Sequence, residues 1–359
     1  MVFFDQLKND YLDHAKYLLR NIVEIEDKGF FPGGNNGPYM HIETPVRNTC
    51  HIIVLFCKAY ELSANEDYKS AIDKFVRYLL SSNYYINNQY IHRRGGTDTC
   101  NGVIGDAWVI EGLSKALPYL NLELRNQVHT RLDDIVNRIH FNEKEGFAYR
   151  FDSLKGPLGG DFTYNHQLWL MASLAQAGLR QDVVIKFLDA SLSGAFKTRS
   201  NGIINHLFHG GSLKNLSNRM RYRLLEMKSL HKIEYKERGY HLFNMFAFAI
   251  LYNKVSHEFF DSDIFSNALA AIDYVFLENL FEEDNKYSVH YNSPAFELSY
   301  IYSTFSNSAL KLNVKDSGIE AVYGRNKSQF WSAKDQAYTC NTIDCVTFMA
   351  RVYELSYAL

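Results

Sequence analysis

A few short stretches of this chain gather carboxylates, imidazoles, phenols, amides and guanidiniums: His92 to Asp98, Gly159 to His166, Asn205 to Gly210, Glu237 to His241, Tyr291-Asn292 and Tyr338 to Asn341. Among the carboxylates, Asp98 and Asp161 open apolar runs, Asp106 and Glu297 lie inside such runs, and Asp344 sits one turn into the last. Glycoside hydrolysis needs two carboxyl groups flanking the bond, one with a raised pKa to protonate the leaving oxygen. As plain N-caps, Asp98 and Asp161 would only bond the free amides of a helix start. That reading does not cover Asp106, because an unpaired carboxylate inside an apolar helix is costly. His166, His241 and the pair His206/His209 would set imidazoles round one substrate, although each alone is more often a satisfied polar residue.

The elements that carry these residues repeat. Asn48-Thr49-Cys50-His51, Asp98-Thr99-Cys100-Asn101 and Tyr338-Thr339-Cys340-Asn341 each open an apolar run that closes on Tyr60-Glu61-Leu62, Glu111-Gly112-Leu113 or Tyr353-Glu354-Leu355. A phrase used this often marks one supersecondary unit reused along the chain. Helices apolar on every side are expected near 45–62, 100–117, 164–178, 239–254, 293–305 and 340–357, as befits helices buried between others. Amphipathic outer helices precede them near 5–26, 65–82, 122–140, 180–193 and 260–280, with a poorly patterned sixth in 306–330. Thr44-Pro45 and Ser293-Pro294 each place a capping residue before a proline at a helix start. Tyr84 to His92 and Phe147 to Phe151 read as small hairpins in the entrance loops.

Six outer–inner hairpins stack either as an open solenoid or as a ring. The first, second and sixth share the Thr-Cys opening, and in a ring the sixth stands beside the first, so the expectation is an all-α (α/α)6 toroid. It spans 1–359 as a single domain, with a basic insertion near 195–238. Long entrance loops on one end of a rigid scaffold are where function concentrates.

Composition narrows the classes. An apolar fraction of 47% supports a large core, and a net charge of −2 gives no general reason to expect nucleic acid or a membrane surface. No apolar run approaches the roughly 18 residues of a membrane span, and the N-terminal residues lack a signal-peptide pattern. Five cysteines, mostly within apolar runs, fit reduced thiols. A soluble, cytoplasmic protein is expected. Aromatic residues reach 15%, with Tyr 25 and Phe 25; most serve the core, while tyrosine and tryptophan also offer platforms for sugar rings.

On the residues Asn101 to Leu113, Thr163 to Trp169 and Gly239 to Asn244 at inner-helix starts, the chain resembles the (α/α)6 carbohydrate-active proteins. That superfamily includes unsaturated glucuronyl hydrolases, N-acylglucosamine 2-epimerases and proteins of surface-glycan pathways. The resemblance implies a sugar or oligosaccharide substrate, neutral or anionic, and a glycoside hydrolase-like enzyme of a polysaccharide pathway needing no cofactor. Its hydrolases imply Asp98 and Asp161 as acid and base, with Asp106 in reserve. Its epimerases imply His166 and His241 for removing and returning a proton beside a carbonyl. With Tyr164 and Tyr240, these histidines also suit β-elimination by a lyase. Arg94, Asn101, Trp108, Tyr164, Asn165, His206, His209, Arg238, Tyr240, Tyr291, Asn292 and Asn341 are the expected substrate contacts. A glycan-binding scaffold without catalysis would want the same aromatic funnel, but not so many groups of tunable pKa.

Two segments carry rival readings. Cys50, Cys100 and Cys340, with His51 or Asp98, would make a zinc site like that of the toroidal lanthionine cyclases or prenyltransferase β-subunits; the spacing is unlike a compact zinc motif, so no metal is expected. Lys214 to Arg238 carries Arg219, Arg221, Arg223, Lys228, Lys232 and Lys236. These could hold a pyrophosphate or uronate polymer, but the interspersed Glu226, Glu234 and Glu237 favour a solvated outer helix.

Overall fold

The computed structural model describes residues 2–24, 29–95, 98–209, 213–306, 308, 310, 312–339 and 342–359. Cys340 and Asn341 lie outside the described residues, as do Gly96 and Thr97.

Six outer–inner pairs follow one another. The first is α1 (Val2–Leu18) and α2 (Val46–Ser63), the second α3 (Glu66–Ser81) and α4 (Ile104–Ala116), and the third α5 (Leu122–Arg138) and α6 (Tyr164–Ala177). Then come α7 (Gln181–Ala190) and α8 (Leu213–Lys254), and α9 (Asp263–Ala270), α10 (Tyr274–Glu282) and α11 (Pro294–Phe305). The last pair is α12 (Asp316–Phe330) and α13 (Cys345–Arg351), the latter continued by a 3-10 stretch over Val352–Tyr357. Small antiparallel sheets decorate the entrances: β1 (Tyr85–Ile86) with β2 (Gln89–Tyr90), then β3 (Phe141–Asn142), β4 (Phe147–Asp152) and β5 (Gly156–Gly160), then β6 (Trp331–Ser332) with β7 (Ala337–Tyr338).

Local chemistry sets the outer helices. Asn65 accepts the Asp67 amide at 3.0 Å and Asn121 the Leu124 amide at 2.9 Å, capping α3 and α5. Leu124, Val128, Leu132 and Ile135 then form the buried stripe of α5. In α4, by contrast, every residue from Ile104 to Leu113 is buried. Each buried Leu or Phe contributes about 1.5–3 kcal/mol. That apolar ring carries the buried ion pairs at the entrances, which stabilise little on their own.

The ring closes. Among the inner helices α2 packs on α4, α4 on α6, α6 on α8, α8 on α11, α11 on the 352–357 stretch, and that stretch back on α2. His14 of α1 bonds both the Met349 carbonyl, at 3.0 Å, and the Tyr338 amide, at 3.2 Å. Asp344 caps Thr347 at 3.2 Å and accepts the Asn35 and Gly37 amides at 2.8 and 2.9 Å. A Cβ on Gly34 would stand 2.0 Å from Thr347 Oγ1, so only glycine lets the first entrance loop pass this latch.

Several boundaries differ from expectation. The basic stretch is no separate outer helix, since 213–254 is one continuous helix whose second half is the fourth inner one. The 260–280 segment breaks at Asp273, whose carboxylate takes the Phe276 amide at 2.7 Å and starts α10. Ser293 sits at an N-cap without capping, because its hydroxyl accepts Asn326 Nδ2 from α12 at 2.9 Å.

Candidate active site

At the entrance end, a cavity of about 130 Å³, open to solvent, is walled by Asn36, Tyr39, Arg93, Asn101, Ile104, Trp108, Thr163, Asn165, His166, His206, Lys236, Tyr240, Phe243 and Tyr291. The wall draws on the first five hairpins, as convergence of helix starts requires.

One side is an oriented imidazole. His166, in the first turn of α6, bonds Asp161 Oδ2 through Nδ1 at 2.8 Å, which leaves Nε2 for the cavity. The buried Asp161 also accepts the Val103 amide at 3.0 Å and the Thr163 amide at 3.1 Å. Burial pushes its carboxyl pKa upward, but His166 and these amides outweigh that and hold it down to about 2. Gly102, at φ 66°, makes the approach possible, because a Cβ there would lie 2.2 Å from Asp161 Oδ2 and 2.3 Å from His166 Nδ1.

Facing the same space, His206 Nε2 meets Lys236 Nζ at 3.0 Å. Burial, then the neighbouring Lys236 charge, keeps His206 well below the ordinary histidine range and therefore neutral. Tyr39 and Tyr240 share a hydroxyl–hydroxyl bond of 3.0 Å. The Tyr291 hydroxyl accepts from Arg47 Nη1 at 2.9 Å and donates to Asn36 Oδ1 at 3.0 Å. Beneath the wall the buried Arg47 stacks 4.1 Å from the Trp108 ring centroid and pairs with Glu43 at 3.2 Å.

Asn101, Trp108, Asn165, His166, His206, Tyr240 and Tyr291 are thus brought together as expected, and other expected residues are not. Asp98 is buried away from the wall, its carboxylate held by Arg93 at 2.7 Å, Arg150 at 3.3 Å and the Asn101 amide at 2.9 Å. Burial works to raise its pKa, yet the two guanidiniums prevail and keep it low. Asp106 faces the outer layer, paired with Arg138 at 2.8 Å. His241 is fully buried between the Ile204 amide, at 3.3 Å, and the Ala268 carbonyl, at 3.0 Å. Burial lowers its pKa to about 4, against the pull of that carbonyl. Tyr164 points outward to Ser191 at 3.0 Å, and Asn292 braces the Tyr287 carbonyl at 2.7 Å. Arg94 is exposed against Tyr84, Arg238 pairs with Glu283 at 2.8 Å, and His209 is not in the wall. Asn341 lies outside the described residues.

Arg93, Tyr39, Asn36 and the supporting Arg47 were the residues missed, and Lys236, which could have held an anion, was read instead onto a solvated helix. Extended backbone at Arg93, which bridges Glu43, turns successive side chains to opposite sides, so Arg93 enters where Arg94 leaves. Lys236 stands one helical turn before Tyr240, and that i,i+4 spacing was readable. Among the described residues, no three His, Cys, Asp or Glu side chains gather as a metal site, and no helix is long and apolar enough to cross a membrane. Cys50 and Cys100 are buried free thiols, whereas the third member of the expected cluster, Cys340, lies outside the described residues.

Two solved structures share this fold at low identity. Cellobiose 2-epimerase from Bacillus thermoamylovorans aligns over 99% of both chains with TM-score 0.59 and 12% identity. An unsaturated glucuronyl hydrolase specific for heparin aligns over 98% of this chain and 96% of its own, with TM-score 0.56 and 12% identity. The fold is thus an (α/α)6 toroid. No family model matches the chain. Its sequence is 33% identical over 350 residues to archaeal glycosylation protein Q of Haloferax volcanii, 91% of each chain being covered. The protein belongs to the family of archaeal glycosylation protein Q.

Proposed function

We propose that the protein is an enzyme of a glycosylation pathway that moves a proton on a sugar or oligosaccharide, as a sugar epimerase or isomerase does. The observation that carries this reading is the Asp161–His166 pair, with His166 in the cavity wall and a second imidazole, His206, in the same wall. Asp161 fixes the tautomer in which His166 Nε2 is a base, suited to taking the proton from a carbon beside a carbonyl. Arg93, Asn101, Asn165 and Tyr240 offer donors for sugar hydroxyls or an anionic substituent, and Trp108 an apolar face. Cellobiose 2-epimerase, of like fold, acts on a sugar, as its name says. Membership in the family of archaeal glycosylation protein Q supports the placement in a glycosylation pathway.

Hydrolysis by Asp98 and Asp161 is the weaker reading. Both carboxylates are held ionised by cationic or N–H partners and turned from the cavity. Neither keeps a proton at neutral pH to give a leaving oxygen.

The test is to incubate the protein in deuterated water with a panel of reducing hexoses, N-acetylhexosamines, hexuronates and disaccharides, and to follow the carbon next to the carbonyl by NMR. Deuterium incorporation with formation of the epimer or isomer is expected, and His166→Ala should abolish both. Release of a new reducing end without exchange at carbon would refute the assignment in favour of a hydrolase.

A further inference from the structure

Lys236 has an unusual set of neighbours. Its Nζ donates to His206 Nε2 at 3.0 Å. It also lies 5.1, 5.8 and 6.0 Å from the ring centroids of Tyr39, Tyr240 and Tyr287. The adjacent Glu237 is turned elsewhere, one oxygen to Arg199 Nε and the other to the His206 backbone amide at 2.8 Å. An ammonium among aromatic faces is attracted by their quadrupoles, and among the described residues no carboxylate forms an ion pair with it. Burial, partly offset by Glu237, lowers the Lys236 pKa to about 8, so near neutrality the charge sits on the lysine and the imidazole stays neutral.

Such an imidazole poses a chemical problem. A neutral ring bonded through Nε2 to an ammonium carries its own proton on Nδ1, and alone it is too weak an acid to protonate carbon. The lysine removes the difficulty.

Building on the proton-transfer reading above, we propose that Lys236 and His206 are a proton relay. His206 gives its Nδ1 proton to the substrate carbon while its Nε2 takes a proton from the Lys236 ammonium. The bonds balance: the electron pair of the enediolate, left when His166 removed the first proton, forms the new C–H bond. The Nδ1–H bond breaks, an Nε2–H bond forms, and one Nζ–H bond breaks. His206 ends neutral but as the Nε2–H tautomer, and Lys236 ends as a free amine. The pair resets when Nε2–H returns its proton to Nζ as Nδ1 takes one from water, while His166 releases to water the proton it removed. His166 and the His206–Lys236 pair are then the two proton-transferring groups that inversion at one carbon calls for. Lys236 is the proton reservoir of the second, and Glu237 is a positioning residue that holds the His206 backbone.

The test uses the full chain, with Lys236→Met and Lys236→Arg, and each variant is first checked for a native melting transition. On the sugar that the wild type epimerises, both variants should keep deuterium exchange at the carbon beside the carbonyl, because His166 still removes and returns that proton. Inversion should fall by about 10²-fold or more in both, the scale of a lost general acid. Arginine is decisive, since its guanidinium keeps the charge but does not release a proton. If Lys236→Arg restores inversion, Lys236 acts by charge alone and the relay is wrong; if Lys236→Met loses exchange together with inversion, it merely supports the site. An arm independent of turnover is nitrogen NMR of histidine-labelled protein. His206 should be the Nδ1–H tautomer, with its Nε2 signal responding near pH 8 as Lys236 titrates. The Nε2–H tautomer would overturn the relay. A wild type that only cleaves glycosides would instead refute the epimerase reading, whichever tautomer is found.

Discussion

Replacing Asp161 by Asn separates the chemical from the structural duty of the carboxylate. Asp161 Oδ2 accepts from both His166 Nδ1 and the Val103 amide, while Oδ1 accepts the Thr163 amide. Asparagine has a single acceptor oxygen. If it faces Val103 and His166, the amide nitrogen opposes the Thr163 N–H. If it faces Thr163, the amide nitrogen points at His166 and forces the opposite tautomer, with the proton on Nε2 and the base gone. The fall of the carboxyl pKa from 3.8 to about 2 corresponds to about 2 kcal/mol of folding stability held by the ionised form. A depressed pKa contributes that stability above the unfolded value, so it is present at pH 7 and is lost as pH drops from about 4 toward 2. Asp161→Asn should therefore cost about 2 kcal/mol at neutral pH, measured by denaturant unfolding. The difference from wild type should vanish near pH 2. Exchange at the substrate carbon should fall by about 10² to 10⁴, the range of a mis-set general base. A variant that unfolds as predicted yet exchanges at the wild-type rate would refute the dyad as the proton-moving device.

Gly102→Ala should fold, since the left-handed φ costs an alanine only about 1–2 kcal/mol, yet lose most activity because its Cβ overlaps Asp161 Oδ2 and His166 Nδ1. Equal losses in Gly102→Ala and in a remote control such as Gly178→Ala would remove the steric argument. Arg47→Met leaves Glu43 buried without its counter-ion and should cost about 3–5 kcal/mol in unfolding experiments; the added substitution Glu43→Gln should recover part of it, and no recovery would mean that stacking on Trp108 is what matters.

How much could be read beforehand follows from what repeats and what does not. The six-hairpin plan was legible because helices buried on all sides and amphipathic ones alternate, as α4 and α5 show. Closure was legible from the shared Thr-Cys openings, and the Asp344 and His14 bonds across the seam are its physical form. The α8 boundary was not legible, because a charged stretch reads as a separate solvated helix whether or not its backbone runs unbroken into the next one. The break at Asp273 hung on one cap inside an otherwise apolar run.

Within the site, residue type indicated which groups gather but not which way each one faces. Asp98, Asp106 and Asp161 are equally plausible acids on paper. Their roles diverge through neighbours that lie 5 to 58 positions away: Arg93 and Arg150 hold Asp98, Arg138 holds Asp106, and His166 with the Val103 amide holds Asp161. A carboxylate between guanidiniums is fixed as an anion, whereas one beside an imidazole hands its basicity on to the far ring nitrogen. The histidines divide in the same way. His241 spends both nitrogens on backbone groups, and His166 spends one on Asp161, leaving the other for the cavity. What makes an entrance histidine available for chemistry is thus the partner that takes only one of its nitrogens, and in this chain the glycine at position 102 is what admits that partner.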